Sequence, residues 1–136
     1  MISPLVASTA LLLVLVSVSE RPPHFVWNVS PSVPVGLYVL DSETLRVGDT
    51  VVLHLPPLAE RLAVGRRYLP ASGLLLKPIA AIAADRVCRW QAHVLINGRV
   101  QAKAVLRDAA GRLLPTWQGC RLLRPDELFV LSPLSG

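Results

Sequence analysis

Proline punctuates this chain, taking twelve of its 136 positions, among them Pro22-Pro23, Pro31, Pro34 and Pro56-Pro57. Inside a helix each proline removes a backbone donor and clashes with the carbonyl four residues earlier, so few stretches are left for long helices. Beyond residue 20 the sequence between the prolines consists of short apolar runs rich in Val and Leu, bounded by turn residues. That texture predicts a mainly β domain. Candidate strands are Gly36 to Leu40, Thr50 to Leu55, Leu74 to Ile82, His93 to Ile96, Val100 to Arg107 and Glu127 to Leu131. Asn97-Gly98 lies between two of them, and both central positions of a two-residue hairpin turn need positive φ, so a tight hairpin is expected there. Asp108 to Gly111 should form a second turn, and Leu58 to Gly65 leaves room for one short helix.

The mean hydropathy of +0.50 is high for a soluble protein, and the excess is local. No charged residue or histidine precedes Glu20, and the uncharged run Ile2 to Ser19 approaches the length needed to cross a hydrocarbon core of roughly 30 Å. The expected organisation is therefore a transmembrane signal anchor over residues 1–19 and one folded domain over 20–136. A cleavable signal peptide is the competing reading, because Ser17-Val18-Ser19 offers small residues at alternate positions. The absence of an early Arg or Lys and the length of the run favour the anchor.

A net charge of +5 and a pI near 10.0 suit a nucleic acid or an anionic membrane surface. The basic residues are scattered apart from Arg66-Arg67, and 5% aromatic content provides no stacking platform, so no nucleic-acid partner is expected. The kind of base is more telling than the number: twelve are Arg and only Lys77 and Lys103 are Lys. Cys88 and Cys120 are a candidate disulfide if the domain faces an oxidising compartment, or two buried free thiols if it faces a reducing cytosol. As a bridge they would restrict the unfolded chain by roughly 3 to 4 kcal/mol in the loop-entropy model. Neither the cysteines nor the three histidines have metal-ligand spacing, so no metal or cofactor is expected.

Two segments carry possible chemistry. In Asn28-Val29-Ser30-Pro31-Ser32-Val33-Pro34-Val35-Gly36-Leu37-Tyr38, prolines bracket a serine and stiffen the backbone around its hydroxyl. Serine attacks poorly unless a neighbouring base takes its proton. Lys77 sits in the apolar run Leu74-Leu75-Leu76-Lys77-Pro78, where desolvation would depress its pKa and make it a candidate base. Taken singly, each segment has a plainer reading: a proline-rich turn for the serines, and a strand residue whose amine reaches water for the lysine.

Together, the two segments resemble the type I signal peptidases, membrane-anchored endopeptidases with a Ser/Lys dyad, and most closely the conjugative-transfer, TraF-like branch. Ser32-x-Pro34-x-Gly36-Leu37-Tyr38 is similar to that branch's nucleophile motif, and Leu75 to Val87, with Lys77-Pro78 and Asp85-Arg86, to its general-base motif. Asn97-Gly98, Asp108 to Pro115, Trp117 to Cys120 and Glu127 to Leu131 continue the likeness. The resemblance implies an antiparallel β-sheet catalytic domain on an N-terminal transmembrane helix, with Ser32 as nucleophile, Lys77 as general base and Ser30 in the oxyanion hole. Asp85 and Arg86 would hold structure beside the lysine strand. Three departures stand out. Val33 replaces a common Met, and Ala83-Ala84 replaces a Pro-Gly-like pair, so that turn is built without glycine. Members also continue past the last strand into a Ser/Asp/Arg-containing motif, so the resemblance implies a catalytic domain truncated at its C-terminus, with Ser135 at the start of that motif as the serine that orients the lysine.

The implied activity is cleavage of exported precursors, pilins or other signal-peptide substrates, at the periplasmic face of a bacterial inner membrane. The lipid bilayer is then a second partner. The alternative is a catalytically inactive, membrane-anchored β-domain serving as a structural or assembly component of a conjugation or secretion system.

Overall fold

A computed structural model describes residues 25–41, 44–69 and 74–132. Within them the chain forms short antiparallel strands and one short helix, as the proline spacing requires. The first two strands, β1 (Phe25–Asn28) and β2 (Gly36–Val39), make a hairpin with Phe25 opposite Val39 and Asn28 opposite Gly36. Side chains alternate across it: Val26 and Asn28 are buried, whereas Phe25, Trp27, Leu37 and Val39 present an exposed apolar face. The serine segment is the loop that closes this hairpin.

Strand β3 (Thr50–Leu53) pairs with β4 (Leu75–Ala81), which pairs on its other edge with β9 (Phe129–Val130). The remaining strands, β5 (Arg86–Trp90), β6 (His93–Ile96), β7 (Arg99–Lys103) and β8 (Gly119–Leu122), form a four-stranded sheet in the order β7-β6-β5-β8. Two buried clusters hold these elements. Ala81, Val87, Val94, Ile96 and Leu123 join β4 to the four-stranded sheet, while Val26, Val33 and Leu76 join the hairpin to β4. Helix α1 (Pro57–Gly65) starts with Pro57 in its first turn, where the missing N–H costs nothing. It ends through Arg67, at φ 58°, with the Tyr68 N–H donating to the Ala63 carbonyl at 2.7 Å.

Turn chemistry follows the side chains. Asn97 and Gly98 have φ of 50° and 79°, as a two-residue hairpin turn requires. Asp108 accepts the N–H groups of Ala110 and Arg112 on one oxygen, and the Tyr68 hydroxyl and Arg112 guanidinium on the other. These bonds, led by that from Tyr68, hold its carboxyl below the usual range. Asp85 accepts from the Ile82 N–H at 2.9 Å and from Asn97 Nδ2 at 2.8 Å, which lowers its pKa and closes the turn between β4 and β5. Asp85 is thus the turn-holding residue expected beside the lysine strand. Arg86 contributes through its backbone N–H, donated to Asn97 Oδ1 at 2.9 Å.

Cys88 and Cys120 form a disulfide, lying directly opposite each other on β5 and β8 with Cα atoms 4.0 Å apart. The expected strands are present with shifted ends: β7 stops at Lys103 rather than Arg107, and β9 is confined to Phe129–Val130 within Glu127 to Leu131. After Lys103 the chain turns into the loop that Asp108 organises. Strands β1, β5 and β8 were not among those expected. No helix among the described residues is long and apolar enough to cross a membrane, and the expected anchor over 1–19 lies outside them.

Candidate active site

The loop from Val29 to Val35 is stitched together by a side chain at its root. Asn28 is 4% exposed, and its Nδ2 donates to the carbonyls of Ser30, Val33 and Pro34 at 2.8, 3.0 and 3.1 Å. Its Oδ1 accepts the Ser30 N–H at 3.1 Å. Tyr38, on β2, donates its hydroxyl to the Pro34 carbonyl at 2.7 Å from the other side. The backbone polar groups of a tight loop need partners, and here one carboxamide supplies several of them. Ser30 and Ser32 come out half-buried, with their hydroxyl oxygens 2.7 Å apart in a hydrogen bond.

Lys77 lies on β4, opposite Val51 of β3. On the other edge Ile79 is opposite Val130 and the Leu131 N–H donates to the Pro78 carbonyl at 3.3 Å. Continuing that antiparallel register brings Ser132 opposite Lys77, and the amine donates to Ser132 Oγ at 2.5 Å. Partial burial lowers the Lys77 pKa from its ordinary value, because the charged form loses solvation. The depression anticipated from the apolar run Leu74-Leu75-Leu76 is therefore present in direction and cause.

The serine loop is packed on the lysine strand: Val33, next to Ser32, and Leu76, next to Lys77, share one buried cluster with Val26. Val33 in place of a methionine thus fills core space. Hydrogen bonds join Ser30 to Ser32 and Lys77 to Ser132; among the described residues none runs from Ser32 to Lys77. Ser135, expected to orient the lysine, lies outside the described residues; within them the Lys77 amine donates to Ser132. Two residues of the site were missed at the sequence level, Ser132 and Asn28. The signal for Ser132 is the register of β9 on β4, which requires knowing the pairing. The signal for Asn28 is its place at the root of a proline-stiffened loop, where Asn commonly bonds to nearby backbone.

The arrangement offers two adjacent hydroxyls on a stiff loop, and an amine of depressed basicity on the strand beneath, held by a further hydroxyl. Acyl transfer by a serine calls on a hydroxyl and a base of these two kinds. A family model described as signal peptidase, peptidase S26, matches residues 1–134 of the chain. No curated protein and no solved structure matches the sequence.

Proposed function

The chain belongs to the peptidase S26 family of signal peptidases, serine peptidases, and we propose on that premise that it is a membrane-anchored endopeptidase using Ser32 and Lys77 to cleave exported precursors. The observation that carries this reading is the Ser30–Ser32 hydroxyl pair, 2.7 Å apart on a loop packed against the lysine strand. In the reaction, neutral Lys77 takes the Ser32 proton as Oγ attacks the scissile carbonyl. The tetrahedral oxyanion is met by the Ser30 hydroxyl and the Ser32 backbone N–H, and one such donor is worth roughly 3 to 4 kcal/mol of barrier. The ammonium then protonates the departing amine, leaving an acyl ester on Ser32, and Lys77 activates the water that hydrolyses it. Ser132 holds the amine in place between steps.

Pilins or other signal-peptide substrates of a conjugation or secretion system are the proposed precursors, and the periplasmic face of an inner membrane the proposed location. The uncharged run Ile2 to Ser19 and the exposed apolar face of Phe25, Trp27, Leu37 and Val39 support placement at a bilayer surface.

The test is co-expression with a signal-bearing pilin precursor, comparing wild type with Ser32→Ala and Lys77→Ala. Wild type should release the mature product and neither variant should. Cleavage by either variant sinks the dyad. Absence of cleavage by the wild type favours the rival, a non-catalytic anchored component.

A further inference from the structure

We propose that Asn28 is a positioning residue for the reaction, its carboxamide setting the geometry in which the Ser32 and Ser30 hydroxyls meet substrate. The proposal rests on the reading of Ser32 as nucleophile. Four hydrogen bonds from one buried side chain reach both sides of Ser32: the Ser30 N–H and carbonyl before it, the Val33 and Pro34 carbonyls after it. Pro31 and Pro34 restrict φ on either side of the serine, but φ alone does not close a loop. Asn28 supplies the closure from the strand end, where it faces Gly36 across the hairpin.

The chemical demand is specific. The side chain must accept one N–H and share its two amide hydrogens among three carbonyls from a single short stem. Asp lacks the donors, and Gln has an extra methylene that displaces the amide from the loop centre. Drawing the carbonyls of residues 30, 33 and 34 onto Asn28 also aims their negative ends at the buried amide. Without the amide, the three carbonyls lose a partner and the loop must reorganise to find water. Misplacing a reacting hydroxyl by about 1 Å is enough to cost about a hundredfold in rate.

Tested on the full-length protein in detergent, with an internally quenched peptide carrying an Ala-Xaa-Ala cleavage sequence, Asn28→Ala should lower kcat about a hundredfold and leave KM within about threefold. Asn28→Asp, which keeps size and the acceptor but removes the donors, should do the same. Val94→Ala is the comparator: it opens a cavity in the other buried cluster, away from the serine loop, so it should lower the melting temperature and spare kcat below the melt. If the Asn28 variants lose activity only in step with their folded fraction, or lose it through KM, Asn28 is structural and the proposal is overturned. An inactive Ser32→Ala beside Asn28 variants with wild-type kcat overturns positioning alone. An active Ser32→Ala, or a wild type that does not cleave, removes the nucleophile reading and positioning with it.

Discussion

Lys77 carries the sharpest consequences at the scale of a single residue. Its amine is held below 10.5 by partial burial. In its proposed role as general base Lys77 must be neutral, so on that proposal kcat falls as pH drops through the lowered pKa, and the acid limb has its midpoint below 10.5. Lys77→Arg keeps the positive charge and gives up the ability to deprotonate, and a loss of about 10²- to 10⁴-fold in kcat is expected. The same shift affects stability, with a definite sign. Between the lowered pKa and 10.5 the unfolded chain binds a proton that the folded chain does not, so stability rises with pH across that window. Urea midpoints measured from neutral to alkaline pH should show this rise in wild type and lack it in Lys77→Met. A wild type and Lys77→Met with parallel profiles would show that burial of the amine has no energetic weight.

At the scale of elements, the β4–β5 turn shows what a local departure in sequence does. Ala84 stands at φ 71°, a left-handed conformation in which Cβ crowds the backbone, where the family pattern offers a glycine-containing pair. Asp85 holds the turn through Ile82 and Asn97, so the strain is tolerated. Ala84→Gly relieves the strain but adds freedom to the unfolded chain, and the net gain should be about 0.5–1 kcal/mol. It is measurable as a raised urea midpoint with unchanged slope; a lowered midpoint would show that the turn is not strained at Ala84. Local chemistry of this kind was legible beforehand: the Asn97-Gly98 hairpin, the Asp108 turn, the short helix and most of β2, β3, β4 and β6 follow from residues within a few positions of one another. The strands that escaped notice have identifiable reasons. β5 carries two arginines in Arg86-Val87-Cys88-Arg89-Trp90, and Arg89 is only 6% exposed, so a pattern that assigns arginine to solvent misses it. β8 begins at a glycine with φ 99°, which marks a turn, and β1 runs straight into the serine loop with a polar residue turned inward at Asn28.

For the whole molecule, what sequence could not supply is pairing between distant segments. The apolar run around Lys77 announced a strand, but the register that sets Ser132 against Lys77 comes from pairing β4 with residues about fifty positions away, for which no local signal exists. The disulfide is the exception, a long-range contact that two cysteines suggested by their number. Cys88 and Cys120 are separated by 32 positions, and the intervening chain holds β6, β7 and the Asp108 turn, so the bridge closes most of the four-stranded sheet into one loop. Loop closure of that length restricts the unfolded ensemble by roughly 3–4 kcal/mol. The Ser32 loop and the Ser132 contact are built on β1, β2, β4 and the segment after β9, outside that loop. The double variant Cys88→Ala/Cys120→Ala should therefore melt about 10–20 °C lower than wild type, yet turn over substrate at the wild-type rate per folded molecule well below the melt. Reductant should lower the wild-type melting temperature to that of the double variant and leave the double variant unmoved. A wild type insensitive to reductant under unfolding conditions, or a double variant that loses kcat at low temperature, would show that the bridge acts elsewhere than in the unfolded chain.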